Sequence, residues 1–258
     1  MRKVFLVGAG PGDPELITVK GLKAIQKADV VLYDRLINEE LLTYAKPEAE
    51  LVYCGKSPDN HSFSQEDINK LLCNYATQGK TVTRLKGGDP FIFGRGGEEA
   101  EELAKRKIPF EIVPGISSGS AAPAYAGIPL THRDFSSSVA FVSGVTKLGA
   151  EEDQYWHHLA KSIDTLCIYM GVKKLPEICN KLIQFGRPAT TPIALVHWGT
   201  TNRQQTVVGT LADISEKMDH ITNPSMIIVG EVVTLREKLQ WFEQLHLEED
   251  SKTQAFVG

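Results

Sequence analysis

Val4-Phe5-Leu6-Val7-Gly8-Ala9-Gly10-Pro11-Gly12-Asp13-Pro14 decides the fold class. An apolar run of strand length ends in glycines at alternate positions, and Asp13 followed by Pro14 is an N-cap and first-position pair for the helical stretch behind it. A strand that runs through a glycine turn into a helix is the opening unit of an α/β sheet. Glycines there let a ligand approach the backbone closely where strand meets helix. A dinucleotide fingerprint would read G-x-G-x-x-G, but its sixth position here is Asp13, and Pro11 removes an N–H that a phosphate cradle needs. The pyrophosphate reading is weakened. Asp34, closing the next strand, would still serve as the ribose-binding acid of a nicotinamide enzyme. That reading and a tight turn without a ligand both stay open at this motif.

Outward from this stretch, short β-branched runs alternate with segments of helical period, the pattern of an α/β protein with mainly parallel strands. Strands are expected over residues 3–8, 29–34, 50–54, 80–86, 110–113, 138–143, 165–170, 192–197, 206–209 and 225–230. The clearest helix follows Ser64: Ile68, Leu71, Leu72, Tyr75 and Ala76 line one face, and Ser64 with Asp67 resembles a capping box. Pro114-Gly115-Ile116-Ser117-Ser118-Gly119-Ser120-Ala121-Ala122-Pro123 interrupts the regularity and reads as a connector with one short small-residue helix. It sets the expected division: an N-terminal α/β domain over 1–113, a C-terminal α/β domain over 114–245 and a polar tail over 246–258.

Composition limits the function classes. The 258 residues, 42% of them hydrophobic, support a sizeable core, and the formal net charge of −4 offers no general attraction to nucleic acid. Val30–Tyr33 and Met226–Val229 are among the longest apolar runs, far below the ~20 residues of a membrane helix. The apolar run behind Met1-Arg2-Lys3 is too short for a signal peptide, so a cytoplasmic location is expected. Cys54, Cys73, Cys167 and Cys179 match neither a zinc pattern nor a Cys-x-x-Cys motif and read as buried free thiols, with no metal site expected.

Two further clusters carry chemistry. Arg84-Leu85-Lys86-Gly87-Gly88-Asp89-Pro90-Phe91-Ile92-Phe93-Gly94-Arg95-Gly96-Gly97-Glu98-Glu99 follows the fourth strand, and so many glycines are costly to order. A binding loop at the carboxyl end of a strand explains them better than a solvated turn. Cys54-Gly55-Lys56 ends the third strand, and Lys56 there is an anion anchor, a proton carrier or a plain surface lysine. Gln78-Gly79-Lys80-Thr81 ends like a Walker loop but precedes a strand, so it is a turn. The adjacent His157 and His158 point in different directions on a helix and read as surface residues.

Gly8-Ala9-Gly10-Pro11-Gly12-Asp13, Tyr33-Asp34-Arg35-Leu36, the block from Arg84 to Glu99, and Val113-Pro114-Gly115-Ile116-Ser117-Ser118 together resemble the tetrapyrrole methyltransferases, and within them the family that C-methylates uroporphyrinogen III. The likeness runs from about Lys3 to about Leu245, and the long glycine-rich block is its most specific part. It implies the tetrapyrrole methylase (class III methyltransferase) fold, two α/β domains with a ligand cleft between them. It also implies S-adenosyl-methionine as methyl donor, S-adenosyl-homocysteine as product, and two methylations of uroporphyrinogen III, at C-2 and C-7, to precorrin-2 by way of precorrin-1.

By that resemblance the cofactor contacts fall on Pro11, Gly87, Gly88, Asp89, Ile92, Ser117, Ser118, Met170 and Gly199. Ser117-Ser118 stand where many members carry Thr-Ala. Asp34 is the implied proton acceptor and Lys56 the proton donor, while Arg35, Arg84 and Arg95 lie on the substrate side. Lys86 and Arg133 join them as cations for the substrate carboxylates. A homodimer is implied, and precorrin-2 feeds both siroheme and cobalamin. The length suits a single-activity methyltransferase without a dehydrogenase and chelatase domain. A methyltransferase acting on a later corrin intermediate shares the first turn, but Asp34-Arg35 and Gly94-Arg95-Gly96-Gly97-Glu98-Glu99 argue against it. A non-catalytic ligand-binding module is the alternative of another class.

Overall fold

A computed structural model describes residues 3–55, 63–145, 149–243 and 245. The chain divides into two compact units, Met1–Ser117 and Ser118–Gly258.

The first unit runs β1 (Val4–Gly8), α1 (Val19–Lys27), β2 (Val30–Tyr33), β3 (Glu50–Tyr53), α2 (Gln65–Thr77), β4 (Val82–Lys86), α3 (Gly96–Lys105) and β5 (Phe110–Val113). Its strands form one sheet in the order β3-β2-β4-β1-β5, every pair parallel. Strand alternation divides the core in two. Val4, Leu6, Val30, Leu32 and Val82 pack against Ile68 and Leu72 of α2 and Leu103 of α3. Val7, Val31, Leu85 and Val113 pack on the other face against Ala24 and Ile25 of α1. Neighbouring strands β1 and β4 therefore send their helices to opposite faces, which opens a crevice at their carboxyl ends, where open parallel sheets bind ligands.

Local signals behave as their chemistry requires, with one shift. Asp13 caps only a 3-10 turn, Pro14–Leu16, its side chain accepting from the Glu15 N–H at 2.9 Å. Thr18 caps α1 itself, accepting from the Gly21 N–H at 3.0 Å. Ser64 opens α2 with a complete capping box: its Oγ accepts from the Asp67 N–H at 3.2 Å, and its own N–H donates to Asp67 Oδ2 at 3.0 Å. Ser64→Ala is expected to cost about 1 kcal/mol of stability, read as a lower urea midpoint at unchanged slope.

The second unit runs α4 (Ser118–Tyr125), β6 (Val139–Ser143), α5 (Glu152–Ser162), β7 (Thr165–Tyr169), α6 (Leu175–Gln184), β8 (Pro192–His197), β9 (Gln205–Thr210), α7 (Ile214–Lys217), β10 (Ser225–Val229) and α8 (Arg236–Leu239). Leu166, Ile168, Ile193, Leu195 and Ile227 pack with Trp156 of α5 and Ile178 and Leu182 of α6. The sheet order is β6-β7-β10-β8-β9, and only β6 and β7 pair in parallel. This corrects the expectation of mainly parallel strands for the second half. The link between β8 and β9 holds no helix and is too short for the crossover that parallel neighbours need. All four cysteines are buried free thiols, and burial pushes Cys54 and Cys179 up to about 11 and Cys167 up to about 12. No helix among the described residues is long and apolar enough to cross a membrane.

Candidate active site

The turns after β1, β4 and β5 meet at backbone contact. A Cβ on Gly8 would lie 2.5 Å from Gly88 O and 2.6 Å from the Gly115 backbone, and one on Gly115 would lie 2.4 Å from Gly88 O. Only glycine fits at such approaches. The Gly88 N–H donates to Gly10 O at 2.7 Å and the Gly10 N–H to Gly88 O at 3.3 Å, with both residues at positive φ. Asp89 ties in the third turn, its carboxylate accepting from the Phe91 N–H at 2.8 Å and the Gly115 N–H at 3.0 Å. Pro11, Gly87, Gly88 and Asp89 thus belong to one welded set of turns, all half-buried, with Ile92 half-buried in the same glycine-rich segment.

That segment is strained further along. Phe93 and Arg95 have φ of 51° and 59°, in the left-handed region that side chains disfavour. Such outliers persist where the surroundings hold them and concentrate at functional sites. Arg95 is exposed, and its guanidinium makes a two-point pair with Glu98 at 2.8 and 2.7 Å.

In the second unit Met170 follows β7 at φ 56°, and Gly199 stands between Trp198 at φ 46° and Thr200 at φ 70° after β8. Both ends border α4. The Tyr169 hydroxyl accepts from the Gly119 N–H at 2.9 Å, one residue beyond Ser118, and a Cβ on Gly199 would lie 2.6 Å from the Ala122 side chain. Ser118, Met170 and Gly199 are therefore gathered around one small-residue helix. Ser117 is buried at the end of the first unit.

Asp34 lies just past β2, its side chain 30% exposed. Arg84 Nη2 reaches its Oδ1 at 2.5 Å, and Lys86 Nζ lies 3.4 Å from its Oδ2. The same cations hold Glu99, whose side chain is 0% exposed: Arg84 Nε donates to its Oε1 at 3.1 Å and Lys86 Nζ at 3.0 Å. Gln65 Nε2 adds a third donor to that oxygen at 3.2 Å, while Oε2 has no hydrogen-bond partner among the described residues. Desolvation opposes the charge of Arg84, but Glu99 and Asp34 outweigh it and hold the guanidinium above its ordinary value.

Arg84, expected on the substrate side, is held here by carboxylates of its own unit. Its side chain is 1% exposed and that of Lys86 4% exposed, and both are occupied by carboxylates of the same chain. Alternation from Val82 points both toward α2 and α3, which cover that face. Arg35 and Arg133 are exposed, so their charges face solvent. Lys56 lies outside the described residues. Sequence reasoning missed Glu99. A signal existed: on a helix Glu99 shares a face with Gly96 and Leu103, the other buried residues of α3, whereas its neighbour Glu98 turns outward.

Known proteins resemble this chain in sequence and in fold. The tetrapyrrole (corrin/porphyrin) methylase family profile matches residues 3–215. The uroporphyrinogen-III C-methyltransferase of Priestia megaterium is 62% identical over 90% of this chain and 99% of its own length. That of Bacillus subtilis (strain 168) is 58% identical over 94% of this chain and 95% of its own. Among solved structures, uroporphyrin-III C-methyl transferase from Thermus thermophilus, complexed with S-adenyl homocysteine, superposes with a TM-score of 0.77 at 41% identity, covering 90% of this chain and 99% of that one. The profile spans most of the chain and the relatives nearly all of it, and on that basis the chain belongs to the tetrapyrrole methylase family.

Proposed function

We propose that this chain is an S-adenosyl-methionine-dependent C-methyltransferase that methylates uroporphyrinogen III twice, at C-2 and C-7, giving precorrin-2 by way of precorrin-1. The observation that carries the residue roles is Asp34, a partly exposed carboxylate at the carboxyl edge of a parallel sheet, backed by two buried cations. Likeness to two uroporphyrinogen-III C-methyltransferases along nearly the whole chain supports the substrate.

The residues present fit the cofactor. In the first unit Pro11, Gly87, Gly88, Ile92 and Ser117 are neutral, Asp89 is an anion, and a Cβ on Gly8 or Gly115 would strike the backbone of the neighbouring turn; in the second unit Ser118, Met170 and Gly199 are neutral. These residue types, with Asp89 as counter-charge, suit a ligand that is cationic at sulfur and amine. When bound, S-adenosyl-methionine supplies an activated methyl group, which leaves the protein to align the attacking carbon, exclude water and take up a proton. The rigid turns do the aligning. Each methylation of an electron-rich pyrrole carbon creates a cationic ring that must lose a proton, and Asp34 accepts it at a carboxylate oxygen that Arg84 and Lys86 hold in place. Lys56 acts as the proton donor. Arg35 and Arg95 bind substrate carboxylates through their forked guanidinium groups.

Anaerobic incubation with uroporphyrinogen III and S-adenosyl-methionine, followed by mass spectrometry, should show two added methyl groups. Tight cofactor binding with no methyl transfer would instead identify a ligand-binding module. Arg35→Ala is expected to raise the Michaelis constant for the tetrapyrrole about tenfold, the equivalent of one charge-assisted hydrogen bond, with kcat little changed. The enzyme is further proposed to work in the cytoplasm as a homodimer, which light scattering would report as twice the 28.4 kDa chain mass.

A further inference from the structure

Two cations buried under one carboxylate pose an electrostatic problem for a base. Lys86 and Arg84 face Asp34 from the interior side of β4, and without a counter-charge they would set two positive charges beneath a group that has to take up a proton. Glu99 changes that balance. It is the one other carboxylate in contact with both cations among the described residues, it is fully buried, and it reaches them through a single oxygen.

We propose that Glu99 is a positioning residue for proton removal: its negative charge cancels one of the two buried cations, so that Arg84 and Lys86 orient Asp34 without suppressing its capacity to accept a proton. The inference rests on the reading of Asp34 as the base. Glu99 itself is shut off from solvent and acts through Arg84 and Lys86. With Asp34, Glu99, Arg84 and Lys86 all charged, the cluster is neutral. The remaining groups near it do not upset that sum. Cys54, following β3, is kept an uncharged thiol by burial. Gln65 of α2 is neutral, and Arg95, which also acts on Glu99, is paired with Glu98.

The test compares three variants across pH. Glu99→Gln keeps the length of the side chain and removes its charge. It is expected to lower kcat about threefold or more and to move the acid limb of the pH–rate profile about one unit toward lower pH. Affinity for S-adenosyl-homocysteine, measured by calorimetry, should stay within about twofold of the parent. Lys86→Met removes a cation while Glu99 remains, and should move the same limb toward higher pH. The double variant restores neutrality and should recover most of the kcat lost in Glu99→Gln. A purely structural glutamate would leave the limb in place and give no such recovery.

Parental kcat and pH profile in folded Glu99→Gln would overturn the proposal, as would a double variant no faster than Glu99→Gln at any pH. If Glu99→Gln does not fold, the Lys86→Met limb decides, and one that stays or moves down overturns it. Asp34→Asn separates the two levels. If that variant is active, the base assignment fails; if it is inactive while the other profiles stay unshifted, only the role of Glu99 fails.

Discussion

Asp34→Ala is expected to lower methyl transfer by about 10² to 10⁴-fold, the usual contribution of a positioned acid or base. Affinity for S-adenosyl-homocysteine should hardly change, because the Asp34 carboxylate is engaged by Arg84 and Lys86. Single-turnover mass spectrometry with calorimetry on the same preparation separates the two effects. The substitution also removes one of the two counter-charges of Arg84 and Lys86, so a drop in thermal midpoint should accompany the loss of rate. A variant that turns over at the parental rate would end the case for Asp34 as the base.

Gly115→Ala is expected to have the largest effect on cofactor affinity. The new Cβ would lie 2.4 Å from Gly88 O and 2.7 Å from Gly8 Cα, and both are backbone atoms that cannot swing aside. The turns after β1, β4 and β5 would have to part, breaking the mutual Gly10–Gly88 hydrogen bonds and the tie from the Gly115 N–H to Asp89. Overpacking of this kind costs about 1–3 kcal/mol or more, so affinity for S-adenosyl-homocysteine should fall at least about tenfold and the thermal midpoint should drop. Gly97→Ala is the control. Nothing lies within 4 Å of its Cβ position, and alanine is the better helix former in the first turn of α3. Equal cofactor affinity in Gly115→Ala and Gly97→Ala would show that the welded turns are not part of the cofactor site.

Much of this was legible in the residues themselves. All ten expected strands form, with ends shifted by no more than about two residues, because each is a short β-branched run between turn formers and needs only its neighbours to be recognised. The box at Ser64 and Asp67 forms for the same local reason. Strand direction in the second half was not legible, since pairing depends on the path of the connection and on which edge is vacant, as β8, β9 and β10 show. The internal pairing of Arg84 was not legible for a related reason. An arginine at the end of a strand beside glycines looks like a ligand contact until α3 is known to cover its face.

The sequence by itself determined where strands, caps and glycine turns fall, and through the blocks around Gly8, Asp34 and Gly88 it determined the family. These are properties of neighbours along the chain, set by backbone conformation and side-chain size. The tertiary structure alone decided which charges are inside. Asp34, Arg84 and Glu99 come from a strand end, a strand and a helix, and their meeting makes Arg84 an internal brace and Glu99 its buried counter-charge. Desolvation and Coulomb energy depend on distance in space and on what covers a group, and neither quantity is written in the spacing of residues along a chain.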